Sequence, residues 1–293
     1  MLRRLLSFFA AALLALLLAA GAAAAAIPPL RQIVVAAFNA PERMPRLDID
    51  PRIHFEPGAE ACAAAAAQLL PAAVARIERA QGRPFAHPVT IGIYASADAY
   101  ARANAAGTAA MAGTTAFDRI TLSPQLCGPE RARLEGILTH ELSHAHLQGW
   151  LSPLAFFALP SWFREGLAVY VAPGDGGSRV TADAARAAIA AGIAIAATEE
   201  GSLLNLGANI RFVRPVPPDL RPAGLAYREA ALFITYLHDE GPREFAVFLD
   251  QIENGVPFKT AFGANFGASA ATRWKDFAAT VTATRPPEPF PSR

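Results

Sequence analysis

The chain has 293 residues, 17% of them charged, and a formal net charge of +1 at neutral pH. That length is enough to bury a sizeable core, and the near-neutral balance gives no electrostatic basis for binding nucleic acid. Only two cysteines are present, which excludes a disulfide-dense scaffold, and neither has a second ligand at metal-site spacing.

In chain order, Met1-Leu2-Arg3-Arg4 is followed by an apolar run over residues 5–27 that ends in small residues near Ala24-Ala25-Ala26. A basic start, an apolar stretch and a small-residue end read as a signal peptide over residues 1–26; an uncleaved membrane anchor is the alternative. Either reading places the domain outside the cytoplasm, periplasmic or secreted, with membrane association if the segment is retained. Cys62 and Cys127 then fit one disulfide in an oxidising compartment, with two buried free thiols as the alternative. Residues 27–50 contain Pro28, Pro29, Pro41 and Pro45 and read as an extended lead-in. Residues 51–284 read as a single domain, and the proline-rich residues 285–293 as a disordered tail.

Within that domain, Arg52 to Glu56 reads as a short strand and Glu60 to Ala80 as a helix, with Pro71 at a kink or a start. Val89, Ile91 and Ile93 alternate as in a strand. Ser96 caps a short helix reaching Asn104. Thr114 to Leu122 reads as a strand or a hairpin. Beyond residue 150 the signals are helical at 163–171, 181–191, 223–239, 242–252, 257–262 and 268–282, with 199–222 irregular. The class is α+β: a small N-terminal sheet with helices, packed on a central motif helix, then a mainly helical C-terminal part.

That motif helix contains His140-Glu141-Leu142-Ser143-His144. Histidines four residues apart lie one turn apart on one face, so both imidazoles can address a single metal ion. Glu141 projects beside the same point, where a carboxylate can take a proton from an activated water. The helix reads as amphipathic, with Leu134, Leu138, Leu142 and Ala145 as its apolar stripe. A catalytic zinc needs a third protein ligand and one open position. His146 points away from the ion and is expected at the surface or supporting the site from behind. His54, His87 and His238 lack spacing partners and read as structural.

The motif followed by Pro160-Ser161-Trp162-Phe163-Arg164-Glu165-Gly166-Leu167-Ala168-Val169-Tyr170 resembles the gluzincin metallopeptidases, in particular bacterial peptidase MA-like domains. Ala226-Tyr227-Arg228-Glu229 and the closing Phe262-Gly263, Trp274 and Phe277 are more loosely similar, so the resemblance covers roughly residues 88–280. It implies a thermolysin-like zincin core and a Zn2+ ion held by His140, His144 and Glu165, the last lying 21 residues after His144. It implies Glu141 as general base and Tyr227 as the group that stabilises the oxyanion. In that class an aspartate four residues past the glutamate supports a histidine; Val169 stands there instead. A peptide or protein substrate would pair with the strand before the motif helix, Thr114 to Leu122. Residues 173–222, with Arg179, Arg211 and Arg214, would wall the cleft or act as a lid. The expected activity is exported, zinc-dependent peptide hydrolysis; the alternative is a non-catalytic envelope module stabilised by zinc.

Overall fold

A computed structural model describes residues 28–116, 118–174, 176–201 and 210–284. The expected signal segment and proline-rich tail lie outside these residues. The fold is α+β, with one four-stranded mixed sheet and eleven α-helices among the described residues.

The sheet comprises β1 (Ile53–Phe55), β2 (Thr90–Ile93), β3 (Gly113–Ala116) and β4 (Arg119–Leu122), in the order β1-β2-β4-β3. β1, β2 and β4 are parallel neighbours, while β3 and β4 form an antiparallel hairpin, so β3 is an edge strand. Of the two readings of Thr114 to Leu122, the hairpin is the one that forms. Ile53, Ile91, Ile93, Ile120 and Leu122 are fully buried and carry the sheet into the core.

The lead-in is not extended throughout. Pro28–Phe38 forms a helix, α1. Pro28 and Pro29 occupy its first turn, where a missing N–H costs nothing because that turn has no intrahelical partner to offer. The Gln32 amide donates to the carbonyl oxygens of Ala101 and Asn104, at 3.1 and 2.8 Å. That contact docks α1 on α3 (Ala97–Ala103), which Ser96 caps as expected.

α2 (Glu60–Gln81) is long and apolar enough to span a membrane by length and composition alone. Its buried residues Cys62, Ala63, Ala66, Leu70, Ala73 and Ile77 form a stripe at helical spacing that packs on α4 (Leu134–Trp150). Its opposite face is exposed and carries Glu60, Arg76 and Arg79, so it is a core helix with one wet side. Pro71 lies in its interior, on that exposed side. The Cys62–Cys127 disulfide joins α2 to the turn that precedes α4.

α4 departs from the amphipathic expectation. Every residue from Gly136 to Leu147 is buried, because α2, the β3–β4 hairpin and α6 (Ser161–Val171) enclose it. α5 (Pro153–Ala158) turns the chain toward α6. α7 (Ala182–Ala190), α8 (Pro222–Glu240), α9 (Pro242–Glu253), α10 (Phe258–Phe266) and α11 (Ala270–Thr284) complete the helical part. Trp162 and Phe163 on α6 meet Phe233, Phe248 and Phe258, ring against ring, at centroid separations of 5.1–5.9 Å. This aromatic cluster fixes α6, and with it Glu165, against α8, α9 and α10.

Candidate metal centre

α4 supplies His140, Glu141 and His144, and α6 supplies Glu165. The two histidine Nε2 atoms lie 3.1 Å apart. Glu165 Oε2 lies 3.3 Å from His140 Nε2 and 3.5 Å from His144 Nε2. A tetrahedral ion with ligand bonds near 2.0–2.2 Å sets its ligands about 3.3–3.6 Å from one another. The three atoms already stand at that separation to within a few tenths of an ångström. The buried group His140, His144 and Glu165 can therefore hold a metal ion with two nitrogen donors and one oxygen donor.

Electrostatics favour a cation there. Burial opposes ionisation of Glu165, yet the charges of His144 and His140 and their hydrogen bonds hold its carboxyl well below the usual carboxylate range. Burial likewise opposes protonation of His140, but the carboxylates of Glu165 and Glu141 draw positive charge to its ring.

The support expected from an aspartate comes from the backbone. His140 Nδ1 donates to the carbonyl oxygen of Gly176 at 2.9 Å, which leaves the Nε2 lone pair facing the other ligands. Gly176 has φ of +54°, and a Cβ there would come within 3.0 Å of Val169. The turn thus packs directly on Val169. His144 Nδ1 has no hydrogen-bond partner among the described residues.

Glu141 is held by a residue that no motif or spacing singles out. The Thr115 hydroxyl, on β3, lies 2.7 Å from Glu141 Oε2 and 3.0 Å from the Glu141 carbonyl oxygen. β3 can come this close because position 113 is glycine: a Cβ there would meet Glu141 Cγ at 2.8 Å and Ile137 Cγ2 at 2.9 Å. Alternation along a strand puts residues 113 and 115 on one face, but only the fold reveals that this face meets α4.

Tyr227, near the start of α8, reaches the site. Its ring stacks on His140 with centroids 6.1 Å apart, which brings the phenol next to the charges of the site. Burial and the charges of Glu165 and Glu141 raise its pKa well above the usual phenol value. Tyr170 packs instead on His238 and Phe245, away from the site.

His146 faces away from the site, as expected, and of its two expected places it takes the packed one, fully buried on the far side of α4. Its Nε2 donates to the Arg83 carbonyl at 3.0 Å, and Nδ1 lies 3.4 Å from Glu253. His54 Nδ1 lies 3.1 Å from the Met44 carbonyl oxygen and His238 Nδ1 lies 3.0 Å from Asp239, while His87 is exposed; none of the three belongs to the His-His-Glu group. Of the irregular stretch, the turn around Gly176 walls the site. Arg179 pairs with Glu130, and Arg211 and Arg214 line a separate surface groove.

No family model matches the chain, and neither a curated protein nor a solved structure does.

Proposed function

We propose that the protein is an exported zinc-dependent peptidase that works in the gluzincin manner. The observation that carries this reading is the convergence of His140 Nε2, His144 Nε2 and Glu165 Oε2 at tetrahedral spacing, with the Glu141 carboxylate next to them on α4. Two imidazoles and one carboxylate suit zinc, with a fourth position left for water. A zinc ion held there supplies an activated water at neutral pH and polarises the substrate carbonyl.

The chain's own residues do the rest. Glu141 takes the water proton at its carboxylate and passes it to the leaving amine. Thr115 keeps that carboxylate in place before the substrate arrives. The Gly176 carbonyl fixes which nitrogen of His140 carries the proton. Tyr227, stacked on His140, offers its hydroxyl to the developing oxyanion. The outer side of β3, unpaired in the sheet, offers backbone groups to an extended peptide. The Cys62–Cys127 disulfide supports an oxidising, extracytoplasmic location. N-terminal mass analysis of the mature protein separates a cleaved signal from a retained anchor.

The test joins metal analysis of purified protein with a mixed peptide substrate. One zinc per chain is expected. Glu141→Gln should keep the zinc and lose hydrolysis by at least about a hundredfold, the scale of a removed general base. Hydrolysis unchanged in that variant overturns the mechanism.

One observation favours a second reading, a zinc-stabilised binding module without turnover. His140, His144 and Glu165 are only 6%, 8% and 5% exposed. On that reading chelation lowers thermal stability and no peptide is cleaved.

A further inference from the structure

Arg164 precedes Glu165 on α6 and is 4% exposed, as deeply placed as the three metal-site residues. Its guanidinium lies 4.8 Å over the Phe156 ring and 5.5 Å from that of Phe157. The Phe156 ring in turn meets the His144 ring edge-on, with centroids 6.4 Å apart. Arg164 is also close enough for its charge to act on Glu165 and Tyr227. These contacts place the guanidinium beside the metal centre, on the side formed by α5 and α8.

Its polar partners do not account for its burial. Nη2 makes one long hydrogen bond, 3.3 Å to the Ser161 hydroxyl, and Nε makes none. Among the described residues no carboxylate lies within ion-pair distance of it. A buried guanidinium normally meets a carboxylate, because an unpaired charge out of water is costly. The charge balance sharpens the point. A divalent ion is neutralised by Glu141 and Glu165, so Arg164 leaves the loaded site with one uncompensated positive charge.

We propose that Arg164 receives a carboxylate of the substrate, so that the site acts on peptides carrying an anionic group next to the cleaved bond. The planar fork of arginine suits two-point pairing with a carboxylate, and the rings of Phe156 and Phe157 hold it flat. The carboxylate comes either from a free C-terminus, which makes the protein a carboxypeptidase, or from an aspartate or glutamate side chain. The proposal rests on the peptidase reading above and names its substrate class.

Three forms of one short peptide test it: a free C-terminal carboxylate, the C-terminal amide, and the amide with glutamate beside the scissile bond. Turnover is measured on the zinc-loaded native protein, and binding by calorimetry on the Glu141→Gln protein. One carboxylate-bearing form should be favoured roughly tenfold or more over the plain amide, chiefly in KM and Kd, the scale of a charge-assisted hydrogen bond. Whichever form is favoured identifies the source. Arg164→Met should abolish the preference with zinc content unchanged. Arg164→Lys keeps the charge without the fork and should retain part of it. Equal handling of all three forms by the native protein, or a preference that survives in the Met variant, overturns the proposal. Hydrolysis without preference removes Arg164 from recognition and leaves the peptidase reading standing. Carboxylate-dependent binding without hydrolysis does the reverse.

Discussion

Thr115 holds Glu141 by one short hydrogen bond from an edge strand, and that contact is open to a clean measurement. Thr115→Val keeps the shape and removes the hydroxyl. Zinc content should be unchanged, while kcat should fall about 10- to 100-fold, the range seen when a partner of a site residue is lost. A variant with native kcat would show that Glu141 needs no such anchor. The contrast between Glu141 and Thr115 explains what the sequence could reveal. His140, Glu141 and His144 are tied by helical spacing, so local geometry makes them legible, whereas Glu165 is reached only through the resemblance carried by the residues around it. Thr115 meets Glu141 across 26 residues of chain, and nothing in a threonine on a strand announces its partner. Arg164 stands in plain view beside Glu165, but its lack of a carboxylate partner is a three-dimensional fact. The Gly176 carbonyl is less visible still, since every residue has a backbone oxygen.

At the level of elements, α1 and α4 differ from the sequence expectation for related reasons. Prolines suggest extended chain unless they fall in a helix's first turn, as Pro28 and Pro29 do. A stripe of leucines suggests one buried face unless neighbours cover the other sides as well, as α2, the hairpin and α6 do for α4. α8 shows what such enclosure does to a carboxyl group. Glu229 is fully buried, and its one hydrogen bond accepts from the Ile195 N–H at 2.9 Å, tying the chain before Phe212 to the helix that carries Tyr227. Burial raises its pKa from 4.5 to about 8, opposed only by that hydrogen bond. The folded state therefore holds the proton to higher pH than the unfolded chain does. The resulting stability is fully present below pH 4.5 and is lost as pH rises through 8, by an amount on the order of 5 kcal/mol. Glu229→Gln cannot ionise, so its denaturation midpoint should be nearly flat where that of the native protein falls. The two proteins should differ most above pH 8 and least near pH 4.5. Parallel profiles would place the pH dependence elsewhere.

The whole molecule is organised around one enclosed helix, and the Cys62–Cys127 bridge clamps the approach to it. The bridge spans 65 residues, a loop whose closure contributes about 4 kcal/mol in the chain-entropy account. A Cys62→Ser/Cys127→Ser double variant should lose about that much in chemical denaturation, with zinc stoichiometry retained under native conditions. A loss below about 1 kcal/mol would mean that the core alone fixes α2 against α4. The sheet, the disulfide and the order of helices were largely readable, because strand alternation, cysteine count and helix periodicity are local or compositional. The complete enclosure of α4 was not, since burial on every side depends on what returns to it from far along the chain. That near closure also bears on time. With ligand atoms this hidden, an ion cannot enter or leave at the rate at which it meets the surface. Exchange must wait for a local opening, of the turn around Gly176 or of the β3 edge. Stripping by EDTA should then reach a rate that no longer rises with chelator concentration, and a rate still proportional to chelator would point to an open route. Exchange that slow would let an ion acquired during folding persist through later changes in the free metal concentration.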